Sequence, residues 1–336
     1  MEAINPLISI LIPIFNADKY LTRCLNSIKS QQFTDFEVIL VDDGSTDTSL
    51  SICNAYALND NRFKVIHKEN EGIAKARLNL YRASSGKYII FIDADDYLLP
   101  NALLFLFNEI EKGYDIVKTA VLRENSIGKQ WIDHYPIEEG IIEGDENYIR
   151  NLILNKIHPY LHCAIYKADL FCDEVFLISS NNNINIGEDW IANYLISPRI
   201  HKILLTQQPT HVYCVHQNST MKTFIRGWNY QHKINQALSA FNSQLNNDIK
   251  DLIFENSCLN RLKFFFLPEI YFNWKEYKII EPNIEKALKH LQKEVYVPKS
   301  YLYFIHQPFF YFIYTRLYCL YIFIRYRKCK LYKLLN

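Results

Sequence analysis

The stretch Tyr88-Ile89-Ile90-Phe91-Ile92-Asp93-Ala94-Asp95-Asp96-Tyr97-Leu98 decides the fold, because an apolar run ends abruptly at three carboxylates. Five consecutive residues of strand type predict a strand buried on both faces, as in a parallel sheet covered by helices. The carboxylates then lie at its carboxyl end, where open α/β sheets bind ligands. Carboxylates this close repel one another, so the pattern predicts a divalent cation, Mg²⁺ or Mn²⁺, among oxygen ligands. An acidic turn that caps the next helix is the alternative.

The composition is that of a folded protein of 336 residues, of which 49% are hydrophobic. The 37 Lys and Arg residues nearly balance the 36 Asp and Glu residues, which removes any global electrostatic argument for nucleic-acid binding. The eight cysteines form no Cys-x-x-Cys pair, and nothing at the N-terminus resembles a secretory signal. We therefore expect a cytoplasmic protein with reduced thiols and no zinc site.

Strands and helices alternate around the opening stretch. Apolar runs predict strands at 7–12, 36–41, 63–67 and 115–122, with helical patterns between them. This order predicts right-handed βαβ crossovers and a Rossmann-like, mainly parallel sheet flanked by helices, which is an α/β fold. Residues 121–144 lose the periodicity and gain charge and glycine, as expected of a loop region that shapes an acceptor pocket.

A second acidic pair, Asp42 and Asp43, follows the predicted strand at 36–41 and precedes Gly44. A carboxylate at a strand end beside a glycine turn can accept hydrogen bonds from a nucleotide base or ribose. A cap for the next helix would explain the Ser and Thr that follow, but not two aspartates before the glycine. A purely structural role is the alternative for this segment taken alone.

Two cations, Lys75 and Arg77, lie on the helix predicted to begin near Gly72. Arginine in particular grips phosphate oxygens through two donors, so both residues are candidate partners for a diphosphate. A solvated position on the helix surface is the alternative for each.

Four motifs follow one another along the chain. They are Pro13-Ile14-Phe15-Asn16, Val41-Asp42-Asp43-Gly44-Ser45-Thr46-Asp47, Gly72-Ile73-Ala74-Lys75-Ala76-Arg77 and Phe91-Ile92-Asp93-Ala94-Asp95-Asp96. In order and at roughly the same spacing, these motifs resemble those of the family-2 glycosyltransferases with the GT-A fold. The resemblance implies a nucleotide-sugar donor, a divalent metal and inversion at the anomeric carbon. One departure is the family's Ala-Arg-Asn-x-Gly, which reads Ala-Arg-Leu-Asn-Leu at 76–80.

The resemblance also implies roles for individual residues. It places base contacts at Pro13, Phe15 and Asp43, and it places Arg77 near the diphosphate. It makes Asp95 the main metal ligand. Asp93 and His216 complete the metal set, although a lone His beside a strand end is otherwise structural. The full set of implied nucleotide-sugar contacts is Pro13, Phe15, Asn16, Asp42, Asp43, Arg77, Asp93, Ala94 and Ser219.

A Glu-Asp pair, Glu188 and Asp189, matches the pair that the family carries. A sugar hydroxyl is a poor nucleophile near neutral pH, so an inverting transfer needs a carboxylate that takes its proton. By the resemblance Asp189 is that base, and Glu188 supports it or contacts the acceptor. The alternative is that both are carboxylates favoured by a helix N-terminus.

The end of the chain is aromatic and then basic. Aromatic residues dominate 301–326, but Arg316 interrupts the run, which argues against a spanning helix. A Tyr-rich segment with a basic flank favours the headgroup region of an anionic membrane, and an aromatic helix packed on the domain is the alternative. We expect a catalytic domain over 1–225, a helical extension over 226–296 and a tail over 297–336 that anchors the protein peripherally on the inner face of the cell membrane.

The resemblance thus implies transfer of a hexose-type sugar from a UDP-sugar to a hydroxyl of a glycan or lipid-linked glycan, as in bacterial surface polysaccharide biosynthesis. Two other classes stay open. One is a catalytically silent nucleotide-sugar-binding paralogue that acts as a partner or scaffold. The other is a membrane adaptor driven by the tail.

Overall fold

The computed structural model of the protein describes residues 5–216 except 136–137, 155 and 186. Within these residues strands and helices alternate along the chain, and a large, mostly parallel sheet is flanked by helices. The predicted α/β class is therefore confirmed. The predicted boundaries after residues 225 and 296, and the predicted tail, lie outside the described residues.

The strands are short to medium in length and run from residue 8 to residue 215. They are β1 (Ile8–Ile14), β2 (Phe36–Asp43), β3 (Phe63–Lys68), β4 (Tyr88–Phe91), β5 (Tyr97–Leu98), β6 (Ile116–Thr119), β7 (Val121–Asn125), β8 (Gln130–Asp133), β9 (Gly140–Glu143), β10 (Ala164–Lys167), β11 (Lys202–Thr206) and β12 (His211–Val215).

Helices lie between the strands along the chain, although beyond the first two they do not connect strands that are neighbours in the large sheet. They are α1 (Asp18–Lys29), α2 (Ser49–Asn59), α3 (Ile73–Ala83), α4 (Ala102–Ile110), α5 (Asp145–Ile153), α6 (Asp173–Asn181) and α7 (Glu188–Ile196), with single 3₁₀ turns at Ala168–Leu170 and Ser197–Arg199.

The large sheet has the strand order β3-β2-β1-β4-β10-β6-β11-β9. β1 pairs in parallel with β2 on one side and with β4 on the other, so that Ile10 lies opposite both Val38 and Ile90. β10 is antiparallel to both of its neighbours, β4 and β6. The carboxyl ends of β1, β2 and β4 consequently meet at one edge of the sheet, where ligands bind in folds of this kind.

The two faces of the sheet bury separate hydrophobic clusters, as alternation along a strand requires. Ile10 and Ile12 of β1 pack on one face with the apolar sides of α1 and α4. Leu11 and Phe91 pack on the other face with α3, α6 and α7. Each fully buried side chain of this size stabilises the fold by about 1.5–3 kcal/mol. The strand ends that carry the polar residues are therefore held from both faces.

The region after residue 115 differs from the prediction in two ways. The single strand predicted at 115–122 is divided, because Ala120 separates β6 in the large sheet from β7 in a second sheet of order β5-β12-β7-β8. Residues 121–144, predicted as loop, contain β7, β8 and β9. These strands are only four or five residues long. β7 pairs with β12, about 90 residues away, so the sequence carries no local signal for the pairing.

Five cysteines lie in the described part of the chain, and all are free thiols. Four of them, Cys24, Cys53, Cys163 and Cys214, are buried, where free thiols pack as small apolar groups. Among the described helices none combines the length and the apolar character that a membrane crossing requires.

Candidate active site

The sequence-predicted residues converge at the carboxyl edge of the large sheet. Asp42 and Asp43 end β2, and Asp93 follows β4 in the adjacent turn. β1 leads directly into Phe15, whose side chain is 51% exposed although it is large and apolar. Pro13 lies near the end of β1 and Ala94 is buried beneath the turn. Ser219, the remaining member of the predicted binding set, lies outside the described residues.

Asn16 joins the loop after β1 to the loop after β2. Its backbone N–H donates to Ser45 Oγ at 3.0 Å, and its side-chain Oδ1 accepts from the backbone N–H of Thr46 at 2.8 Å. The residue has a φ of 50°, in the left-handed region that asparagine tolerates better than most residues. Asn16 thus fixes the position of Phe15, its neighbour, at the mouth of the site.

The two aspartates at the end of β2 have different surroundings. Asp42 is fully buried, with Oδ2 at 2.7 Å from His67 Nδ1, while its Oδ1 has no hydrogen-bond partner. Asp43 accepts from the backbone N–H groups of Glu71 and Gly72, at 3.0 and 2.8 Å, and pairs with Lys68. Asp43 therefore anchors the turn that begins α3, and Asp42 keeps an unused acceptor beside the strand end.

Arg77 on α3 is the centre of the site. Its side chain is buried, and its Nη1 donates to Glu188 at 2.9 Å and to Asp189. Its Nη2 lies 3.5 Å from Asp93 Oδ1. The guanidinium thereby joins the turn after β4 to the first turn of α7, two segments separated by about 95 residues. One cation faces three carboxylates, so the cluster has excess negative charge.

Burial and the excess negative charge of this cluster raise the pKa of Glu188. Burial and the neighbouring Asp189 raise the pKa of Glu188 to about 8, which Arg77 only partly opposes. Burial alone would lower the pKa of Arg77, but Asp189, Glu188 and Asp93 raise it further above its ordinary value. The arginine therefore stays charged, and the carboxylate group as a whole can hold a proton at neutral pH.

A candidate cation site lies beside this cluster. The ligand atoms of Asp93, Asp96 and His162 lie within 4.8 Å of one another. His162 is buried, and neither of its ring nitrogens has a hydrogen-bond partner. Burial together with Asp93 raises the pKa of Asp95, and burial together with Asp95 and Asp93 raises that of Asp96. Unpartnered imidazole nitrogens and crowded carboxylates fit a divalent cation, which would supply the missing positive charge.

Asp95 and His216 form a second contact on the other side of the same turn. His216 Nε2 lies 2.7 Å from Asp95 Oδ2, and the His216 ring stacks on Tyr20 with 4.7 Å between ring centroids. Asp96 accepts from the backbone N–H of Cys214 at 2.8 Å, which ties β12 to the turn. Of the predicted metal set, Asp95 and His216 are therefore in contact, whereas Asp93 groups with Asp96 and His162.

His162 is the functional candidate that motif reasoning missed, since it lies in the irregular segment before β10. One signal could have found it, because His158, Tyr160 and His162 recur at every second position, a spacing that brings extended-chain side chains to one side. The rings do stack in series, with centroid distances of 5.4 and 4.8 Å.

The family departure at Leu78 and Leu80 also has a structural explanation. Both leucines are fully buried on the face of α3 that packs on the sheet, in the same cluster as Leu11 and Phe91. They consequently contribute to the core, while Arg77 on the same helix faces the carboxylates.

Comparison with known proteins agrees with this architecture. Residues 9–173 match the model of the glycosyl transferase family 2. The glycosyltransferase GlyG of Streptococcus pneumoniae is 42% identical over 115 residues, which cover 34% of this chain and 38% of GlyG. The chondroitin synthase of Escherichia coli is 41% identical over 107 residues, 32% of this chain and 16% of that protein. The chain thus spans well under half the length of either relative.

A solved structure extends the likeness beyond these segments. The crystal structure of S. aureus TarS 1-349 in complex with UDP-GlcNAc has a TM-score of 0.61 and 22% identity, covering 84% of this chain and 79% of that one. This likeness concerns the fold, and the family match concerns the residues that form β1 to β10. Together they show that the chain belongs to glycosyltransferase family 2 and that it has the GT-A fold.

Proposed function

We propose that the protein transfers a sugar from a UDP-sugar to a hydroxyl of a glycan, with inversion at the anomeric carbon and with a bound Mn²⁺ or Mg²⁺. The observation that carries the proposal is the contact of Arg77 with Asp93 on one side and with Glu188 and Asp189 on the other. It brings a carboxylate of the predicted donor site next to the predicted base.

The donor is bound at the carboxyl edge of β1 and β2. Phe15 offers an exposed ring on which a nucleobase can stack, and Asp42 offers an acceptor without a partner for a base or ribose donor. Asp43 orders the turn that begins α3. The UDP-GlcNAc bound by the structurally similar TarS supports a uridine diphosphate donor here.

The acceptor hydroxyl is deprotonated by Asp189 as it attacks the anomeric carbon. Because three carboxylates share one guanidinium, the cluster can take up a proton while Arg77 keeps its remaining contacts. The anomeric carbon gains oxocarbenium character, the same electronic demand that glycosidases meet with carboxylates. Similarity to a chondroitin synthase supports a glycan as the acceptor.

The cation would be held by carboxylates of the turn after β4. Asp93 belongs to both the predicted metal set and the observed cluster, where its partners are Asp96 and His162. Asp95 and His216, the other two predicted ligands, contact each other beside this cluster. When bound, the ion stabilises the negative charge of the leaving diphosphate as a Lewis acid. Oxygen-rich ligation favours Mg²⁺ or Mn²⁺.

We further propose a lipid-linked acceptor at the inner leaflet, reached through the aromatic and basic tail over 297–336. The support is compositional, since a Tyr-rich run with a basic flank suits a headgroup region. The helical extension over 226–296 would then connect this anchor to the catalytic domain over 1–225.

The test compares Asp189→Asn with the wild-type chain. Purified proteins are given a panel of UDP-sugars, Mn²⁺ and oligosaccharide acceptors, and transfer is followed by product mass. We expect Asp189→Asn to abolish transfer while its affinity for UDP stays within about twofold, because the variant loses only the proton acceptor. Asp173→Asn, an exposed carboxylate on α6, is the matched control. Full turnover by Asp189→Asn would contradict the role of the base.

UDP release and a deletion variant distinguish the enzyme from the two alternative functions. A silent nucleotide-sugar-binding protein would bind UDP-sugar without releasing UDP. A tail-driven membrane adaptor would lose its function when residues from 301 onward are deleted, whereas an enzyme keeps activity toward a soluble acceptor. The burial of Leu78 and Leu80 in the core favours the enzyme, because this departure leaves the charged groups of the site in place.

A further inference from the structure

An irregular segment, residues 156–163 before β10, supports the side of the site that contains His162. Its last residue, Cys163, is buried with a φ of 59°, a left-handed conformation that is unusual for a residue other than glycine. Strained backbone persists only where the surroundings fix it. The contacts that fix this segment therefore determine where His162 lies relative to Asp93, which is 3.5 Å away.

Three carbonyls of the segment are held by donors from other elements. Asn193 Nδ2 donates to the carbonyl of Pro159 at 2.5 Å, and Lys118 Nζ donates to that of Tyr160 at 3.0 Å. The backbone N–H of Thr119 donates to that of Cys163 at 2.9 Å. Two of these donors are buried side chains, so the segment depends on them rather than on a strand or helix of its own.

Asn193 differs from the other donors because it also contacts the backbone of Asp189, the proposed base. It lies one turn after Asp189 on α7, and its Nδ2 donates to the Asp189 carbonyl at 2.7 Å. Its Oδ1 accepts from the Tyr148 hydroxyl of α5. The amide is fully buried, and both of its polar atoms are engaged. α7 has no side-chain cap at its start, Gly187. The first turn of α7, which carries Glu188 and Asp189, is therefore held from within by Asn193.

We propose that Asn193 is a positioning residue of the transfer reaction. Its side-chain amide fixes the Asp189 turn of α7 to the segment that presents His162, so that the base keeps a set distance from the donor carboxylate Asp93. This inference rests on the proposed function and assigns to it a residue that does not touch a substrate. A buried, fully satisfied polar network specifies one geometry, which an apolar core residue of similar volume would not do.

The activity test uses two variants that divide the contacts of the amide. Asn193→Asp keeps the oxygen that accepts from Tyr148 but loses the hydrogen bonds that Nδ2 donates to the carbonyls of Pro159 and Asp189. Tyr148→Phe keeps those two hydrogen bonds and removes only the one from the Tyr148 hydroxyl. Ser197→Ala is the matched control, because Ser197 is equally buried and donates to a carbonyl of α7, that of Tyr194, at 2.6 Å. Should Asn193→Asp fail to fold, Asn193→Leu, which buries no charge, takes its place.

We expect Asn193→Asp to lower kcat for transfer by about tenfold to a hundredfold, because misplacing a catalytic group by about 1 Å has this effect. Its donor KM, its affinity for UDP and its rate of UDP-sugar hydrolysis should stay within about twofold of wild type. Tyr148→Phe and Ser197→Ala should keep kcat within about threefold. A kcat for Asn193→Asp as high as that of Ser197→Ala would overturn the proposal, as would an equal loss in donor affinity.

Hydrogen exchange gives a readout that does not depend on activity. In Asn193→Asp the amides of 160–163 should exchange at least about tenfold faster than in Ser197→Ala, because the link to α7 is lost. Unchanged exchange in this segment would overturn the proposal even if kcat fell. Absence of transfer by the wild-type chain would contradict the proposed function instead, and the exchange measurement alone would then decide whether Asn193 joins the two elements.

Discussion

The guanidinium of Arg77 donates a hydrogen bond to the carboxylate of Asp189, 112 residues further along the chain. This contact connects α3, near the sheet edge where we propose that the nucleotide binds, to α7, which carries the predicted base. Because a buried arginine is costly without partners, the two elements depend on each other. The turn after β4 and the first turn of α7 consequently belong to one charged cluster.

Replacement of Arg77 by Met should leave Glu188, Asp189 and Asp93 without their shared cation. Breaking a buried ionic network in this way costs about 3–5 kcal/mol, and we expect a loss of this size in the free energy of unfolding from urea titration. Transfer should be abolished. Arg82→Met is the control, since Arg82 pairs with Asp173 on the surface and should matter little. Equal effects from the two variants would contradict a central role for Arg77.

Glu188 makes stability depend on pH in a defined window. Folding raises the pKa of Glu188 from 4.5 to about 8. The protonated carboxyl therefore stabilises the folded state below about pH 4.5, and this contribution is lost as the pH rises through about 8. In the presence of a chelator, Glu188→Gln should raise Tm relative to wild type at about pH 8.5 but not at about pH 4.5. A Tm difference that is the same at both pH values would show that Glu188 is ionised throughout.

Lys118 should have the opposite dependence. Burial lowers the pKa of its ammonium from 10.5 to about 8, although Asp189 partly offsets this. Below about pH 8 the fold holds a buried charge at a cost, and between about 8 and 10.5 the unfolded chain binds the extra proton, so stability rises with pH. Unfolding of wild type and Lys118→Met should therefore converge as the pH rises through this window. Lys112→Met, at an exposed lysine, should show no such convergence.

Gly44 tests the close packing of the turn after Asp43 against the loop that leads into α3. A Cβ at Gly44 would lie 2.7 Å from the backbone nitrogen of Asn70, and its φ is +73°. Gly128 has a similar φ of +77° but open space around it. Gly44→Ala should therefore lower stability by at least about 1 kcal/mol more than Gly128→Ala, because only the first adds overpacking to backbone strain. It should also weaken UDP binding, and equal costs would argue against a tight turn.

The strands that carry the site could be predicted because each is a continuous apolar run with polar residues at its carboxyl end. Burial on both faces leaves β1, β2 and β4 with a strong local signal, and the motifs fix their order. The small sheet could not be predicted, since β5 has only two residues and pairs with β12, more than a hundred residues away. Pairing at that distance depends on the assembled core and leaves no local pattern.

The site was predictable in its members but not in its contacts. The resemblance predicts Arg77 beside a diphosphate. Its contacts with Glu188 and Asp189 could not be predicted, because these residues lie more than a hundred positions further along the chain. Asn193 could not be predicted, because a lone buried Asn carries no positional signature. For His162 the sequence offers only the alternation of His158, Tyr160 and His162. The position of His162 depends on the path of the irregular segment 156–163, and Asn193 reaches that segment from α7.

The central claim is that the turn after β4 holds a divalent cation so that a uridine nucleotide can dock beside it. Isothermal titration calorimetry of UDP into the full chain, with Mn²⁺ and then with chelator, tests it directly. We expect saturable binding with Mn²⁺ that weakens at least about tenfold with chelator and in Asp95→Asn, and that persists in the control Asp173→Asn. An affinity for UDP that is the same with Mn²⁺, with chelator and in Asp95→Asn would contradict the proposed cation site. So would the absence of UDP binding by the wild-type chain.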